Sequence, residues 1–192
     1  MIHRSSCIVL ASILVVAAPL FSASIGLFST PDCSSCNLVV PPGGTSTFYV
    51  RALTDGIAPD LSMTGAGLKV VGLPAGWSTV SVPNPQATVS VGDPFGPSGA
   101  RIFFGSTFLY TCIDLYTVSL TATTPAHEVR LHVEGVTSAW DPALICPWFV
   151  PGCTPCDFEI CVGGGTLFVN SDSGCSVSIE NRNWTRIRTL YR

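Results

Sequence analysis

Leu115-Tyr-Thr-Val-Ser-Leu-Thr-Ala-Thr123 decides the fold class. Tyr116, Val118, Leu120 and Ala122 fall at every second position, with Thr and Ser between them. Side chains of an extended chain alternate between faces, so this stretch buries one face and leaves hydroxyls on the other. A helix would scatter the same apolar residues around its circumference. The β-branched Val and Thr reinforce the strand reading.

Working outward, the same period recurs. Phe48, Val50 and Ala52 share a face, as do Ala66, Leu68 and Val70. Val80 with Val82, Ala87 with Val89 and Val91, Ala100 with Ile102 and Phe104, and Val129 with Leu131 and Val133 repeat the pattern. Turn formers separate the runs: Pro41-Pro42-Gly43-Gly44, Pro74-Ala-Gly76, Pro83-Asn-Pro85, Gly92-Asp-Pro94, Pro97-Ser-Gly99 and Thr124-Pro125. Short strands at this spacing, with no helical pattern between them, predict an all-β, antiparallel sandwich.

Composition narrows the function classes. The chain has 192 residues, 47% hydrophobic and only 11% charged, with a net charge of −3. An ordinary domain is about 25% charged. With 9 Lys+Arg against 12 Asp+Glu, a strongly basic nucleic-acid binder is excluded. A charge-driven disordered chain is excluded by the hydrophobic content.

The first segment reads as an address. His3 and Arg4 precede the apolar run Ile8–Phe21, and Ser22-Ala23-Ser24 supplies small residues for cleavage. This order predicts a secretory signal peptide over 1–24, an exported single domain over 25–192, and no stable membrane span once the leader is gone. The expected location is extracellular or at the cell surface, with the periplasm as an alternative. Cys7 departs with the leader. Cys33, Cys36, Cys112, Cys146, Cys153, Cys156, Cys161 and Cys175 remain, an even set that reads as disulfides in an exported protein. Spacing alone does not pair them.

Residues 140–174 form a Cys/Pro-rich section, where Pro142, Pro147, Pro151 and Pro155 break any long element and cross-links are expected to hold the backbone. Strand character returns at Thr166–Val169, and Asn170-Ser-Asp-Ser-Gly174 reads as a turn. Over 183–191, Trp184, Ile187, Leu190 and Tyr191 lie at helical spacing behind Asn183, predicting a short C-terminal helix.

The chemistry candidates are few. Cys33-Ser-Ser-Cys36 and Cys153-Thr-Pro-Cys156 lack the strand-to-helix setting of a redox dithiol. Their separation of about 120 residues is far from the 15–20 of a zinc ribbon. His127 and His132 are five apart, not the four of a zincin helix, and no G-x-S-x-G supplies a nucleophile elbow. We therefore expect no catalytic residues, no metal and no cofactor. Trp140, Trp148, Trp184, Arg186 and Arg188 are the candidate contacts to a ligand or partner.

Three motifs carry a resemblance. Ser24-Ile-Gly-Leu-Phe28, Gly72-Leu-Pro-Ala-Gly-Trp77 and Trp184-Thr-Arg-Ile-Arg-Thr-Leu-Tyr-Arg192 resemble uncharacterised secreted bacterial proteins of about this length, a group with no assigned activity. More loosely, residues 40–123 resemble cohesin-like and Ig-like extracellular modules. The likeness rests on Pro42-Gly43 before a long strand, a strand leading into Pro-Ala-Gly-Trp77, and Leu115–Thr123 as the late core strand. It implies a disulfide-stabilised β-sandwich that binds or scaffolds. The expected function is a secreted, non-catalytic binding or structural protein whose unknown partner is a protein or a glycan, and not a nucleic acid. A carbohydrate-binding module and a secreted hydrolase with an unrecognised carboxylate site are the alternatives.

Overall fold

The computed structural model describes residues 23–54, 63–108, 111–137, 142, 145–152 and 159–172. These residues form fifteen strands and no helix. In chain order they are β1 (Ser24–Phe28), β2 (Asn37–Leu38), β3 (Thr45–Leu53), β4 (Met63–Val71), β5 (Ser78–Pro83), β6 (Ala87–Gly92), β7 (Ala100–Phe108) and β8 (Cys112–Thr121). They continue with β9 (Val129–Glu134), β10 (Val136–Thr137), β11 (Ile145–Cys146), β12 (Trp148–Pro151), β13 (Ile160–Cys161), β14 (Gly163–Gly164) and β15 (Thr166–Val169). The helix expected over 183–191 lies outside the described residues.

Two sheets pack face to face. The first runs β14-β1-β3-β8-β5. The second runs β6-β7-β4-β9-β15-β2, with β12 and β13 laid beside the opening half of β4. Val50, Ile113, Leu115 and Val118 of one inner face belong to the same buried core as Leu68, Ile102, Leu131 and Leu167 of the other. Strand β8, the stretch that decides the class, lies between β3 and β5, and its even-numbered apolar residues are all buried. Opposite Val50 the register slips by one, so Leu115 and Tyr116 both turn inward. This is the geometry of a β-bulge, which adds a buried side chain at the cost of one ladder position.

The boundary expected between residues 24 and 25 falls within the opening strand. Ser24 is the first residue of β1, paired with Leu53 on one side and Gly163 on the other. A domain that begins at residue 25 would start inside a central strand.

The Cys/Pro-rich section makes strands of two to four residues. A bridge joins Cys146 to Cys161, and another joins Cys33 to Cys112. Cys36 is also disulfide-bonded. Neither of these two bridges closes within a CxxC. Cys153, Cys156 and Cys175 lie outside the described residues.

On the outer side of the second sheet, Gly65 and Gly67 of β4 lie opposite Phe103 of β7 and Trp148 of β12. A methyl group at Gly67 would overlap the indole ring, and one at Gly65 would overlap the Phe103 ring. The two bare positions let aromatics from either neighbour lean over the central strand until their rings lie 6.2 Å apart.

Asn170 ends β15 in the left-handed region, at φ 52°, a conformation asparagine tolerates better than most residues. Its side-chain oxygen accepts from Val40 N, and its amide donates to Val40 O and Ala126 O. The residue read as part of a turn is thus a clasp between β15 and two distant connections. Asn170→Ala leaves the Val40 backbone groups unpaired and is expected to cost about 3 kcal/mol, read from urea unfolding.

Candidate functional site

Residues 70–92 contain no charged side chain. They include β5 and β6, the edge strands of the two sheets, which lie in succession along the chain. Val80 and Val82 on β5 are 65% and 57% exposed, and Val89 and Val91 on β6 are 48% and 56% exposed. The alternation foreseen in both strands is present, but its apolar side faces out.

Register explains the inversion. Val80 and Val82 pair with Ser119 and Thr117, which flank the buried Val118 and therefore occupy the outer face of β8. Val89 and Val91 pair with Phe103 and Arg101, which share the outer face of β7. The inward positions carry hydroxyls with partners. Ser90 Oγ lies 3.0 Å from the Tyr116 hydroxyl, and Ser81 Oγ donates to Asp93 at 3.1 Å. Tyr116 is 1% exposed, and a buried phenol needs a partner. Meeting that need points the exposed Ser90 toward the inner side, and the strand period then turns Val89 and Val91 to the outer face.

The connection between the two strands is pinned. Asn84 donates its amide to Asp114 O at 2.7 Å and its backbone N–H to Leu115 O, while Gln86 N donates back to Asn84 Oδ1. The valines therefore stand on a scaffold held to the β8 bulge, and ordering them in a complex costs little. Pro83 closes β5 and the Ala87/Val89 irregularity kinks β6, devices that blunt promiscuous edge pairing.

A second cluster lies on the outer face of the first sheet. Arg51 Nε sits 3.6 Å from Asp114 Oδ1, Arg51 Nη1 donates to Cys112 Sγ at 3.3 Å, and the guanidinium lies over the Tyr49 ring. Burial pushes the Asp114 carboxyl above its ordinary value, and the Arg51 charge pulls it part of the way back. The cluster ties β3 to β8 beside the Cys33–Cys112 bridge. In the preceding loop, hydrogen bonds from Ser34 and Thr30 lower the exposed Asp32 carboxyl to about 2.

Of the candidate contact residues, Trp148 is fully buried and acts in this structure as a packing side chain, so the contact expected of it has no surface to use. Trp140, Trp184, Arg186 and Arg188 lie outside the described residues. Trp77 is buried and donates its indole N–H to Thr124 O at 2.9 Å, a plug at a strand junction. His132 is exposed, with Nδ1 2.9 Å from Thr166 Oγ1, and His127 is exposed just ahead of β9. Among the described residues, no three His, Cys, Asp or Glu side chains converge as a metal site. The valine edge was not foreseen. Its one sequence signal was the uncharged run between Lys69 and Asp93.

No protein-family profile matches the chain, and no curated protein does. Among solved structures, a type III cohesin module from the ScaE cell-surface anchoring scaffoldin of Ruminococcus flavefaciens is similar at a TM-score of 0.47 and 10% identity, covering 84% of this chain and 93% of that one. The seventh ScaB type I cohesin from Pseudobacteroides cellulosolvens is similar at 0.46 and 8%, covering 80% and 95%. A non-cellulosomal cohesin from the archaeon Archaeoglobus fulgidus is similar at 0.43 and 14%, covering 85% and 97%.

Proposed function

We propose that this is an exported, non-catalytic binding module that holds a protein partner along its β5–β6 edge. The observation that carries the reading is the set of four exposed valines on two successive edge strands within an uncharged stretch. Fully burying a Val side chain contributes about 1.5–3 kcal/mol, so a partner that covers Val89 and Val91 gains enough to offset part of the cost of association. The partner chemistry that fits is an extended, uncharged polypeptide segment with β-branched side chains. It adds to β6 as a further strand, with its own alternate residues against Val89 and Val91.

An array of uncharged, extended peptides with alternating Val, Ile and Thr, run beside a glycan array, tests this. The wild-type protein is expected to bind the peptides, and the Val89→Lys/Val91→Lys variant to lose at least about tenfold in affinity. Its stability should stay within about 0.5 kcal/mol of wild type, since both positions are exposed. Equal binding by the variant overturns the assignment of the edge. Binding to glycans alone overturns the protein-partner reading in favour of carbohydrate.

A further inference from the structure

We propose that the segment held by β6 is β6 of a second copy, so that two chains join edge to edge about a two-fold axis at Ser90. The inference rests on the reading of β6 as a strand-adding edge, and it names the partner of that edge.

The partner chemistry set out above is met within this chain. Ala87-Thr-Val-Ser-Val-Gly92 is extended and uncharged, with β-branched side chains at Thr88, Val89 and Val91. Among the described residues β6 pairs with β7 alone, so its other side offers backbone N–H and C=O groups to a further strand. A second β6 brings no like charge against the first, because the uncharged run extends from residue 70 to 92.

The surroundings of β6 fix the register. Residues opposite one another in adjacent strands point to the same face, so outward valines meet only if the axis passes through residue 89, 90 or 91. An axis at Val91 sets Asp93 opposite Val89 and Pro94, which has no N–H, opposite Thr88. An axis at Val89 sets the Ala87/Val89 irregularity against the regular stretch of the other copy. An axis at Ser90 avoids both. It pairs Ser90 with Ser90 of the second copy, and Val89 with Val91 of the second copy.

This register also continues the outer face. Val89 pairs with Phe103 of β7 and Val91 pairs with Arg101, and the Phe103 ring tilts against Trp148. In the joined sheet, the row Trp148, Phe103 and Val89 gains the valine of the second copy, which covers the flank that Val89 exposes to water. The axis generates the same row in the other chain. Because the contact uses one patch on both chains, it closes as a dimer and does not propagate.

Sedimentation velocity of the protein expressed from the full chain, over a wide concentration range, reads the assembly. A concentration-dependent dimer is expected. Val89→Lys/Val91→Lys sets like charges opposite one another and is expected to raise the dimer dissociation constant about tenfold or more. Val89→Lys/Val91→Glu sets opposite charges against one another only in the register centred on Ser90, and is expected to dimerise about tenfold more tightly than the double-lysine variant. Both positions are exposed, and urea unfolding checks that each variant stays folded. Equal dissociation constants for the two variants overturn the register. A dimer that neither variant weakens overturns the proposal, because its contact lies elsewhere. A wild-type protein that stays monomeric yet binds the alternating Val, Ile and Thr peptides overturns the second copy while upholding the edge as a binding site. A monomer that also ignores those peptides overturns the edge reading itself.

Discussion

Replacing Trp148 by alanine is expected to lower the unfolding free energy by about 3–5 kcal/mol, the range for truncating a fully buried large aromatic. The indole lies over Gly67, tilts against Phe103, and sits opposite Cys161 of the Cys146–Cys161 bridge. Its neighbour Phe149 points the other way, into the main core. Losing the ring opens a cavity in a thin apolar layer outside the second sheet, and the disulfide limits how far that layer can collapse. Trp148→Phe keeps most of the volume and removes an indole N–H that has no hydrogen-bond partner among the described residues. It is expected to cost under about 1.5 kcal/mol. Urea unfolding of both variants checks the pair. A small loss for the alanine variant would mean that the β12–β13 segment does not fold cooperatively with the sandwich.

The second large effect concerns the bridges. Cys33–Cys112 spans 79 residues and Cys146–Cys161 spans 15. Cross-linking restricts the unfolded chain more when the loop is longer, which gives about 4.5 kcal/mol for the first bridge and about 3 kcal/mol for the second. Paired Cys→Ser replacements should therefore rank in that order in denaturant unfolding. The longer bridge also anchors the loop between β1 and β2 to the start of β8, beside the Arg51–Asp114 pair. The reverse ranking would show that native-state packing around Cys146–Cys161, rather than chain entropy, sets the contribution.

Much of the fold was legible because its signals are local. Leu115–Thr121, Phe48–Ala52 and Val129–Val133 each lie in a strand with their alternating apolar residues buried. The even cysteine set pointed to bridges, and five of its members are disulfide-bonded among the described residues. Which cysteines meet depends on how β8 and the β1–β2 loop come together, and no spacing rule contains that. Ser24–Phe28 was harder for a different reason. The boundary expected between residues 24 and 25 divides it, and the pairing of Ser24 with Leu53 of β3 and Gly163 of β14 makes Ser24 its first residue.

The candidate site divides in the same way. The period and β-branching of Val80-Ser-Val82 and Val89-Ser-Val91 established by themselves that these segments are extended and one-sided. The uncharged run around them was visible too. The side facing solvent was decided by tertiary structure alone. Register with β8 and β7, together with the partner that the buried Tyr116 hydroxyl finds in Ser90, turned the valines outward. Alternation is a property of each strand on its own, so a single chain's sequence carries it. The phase of that alternation relative to the core belongs to pairs of strands and not to one strand alone, and here it converts a pattern that reads as core into an exposed edge.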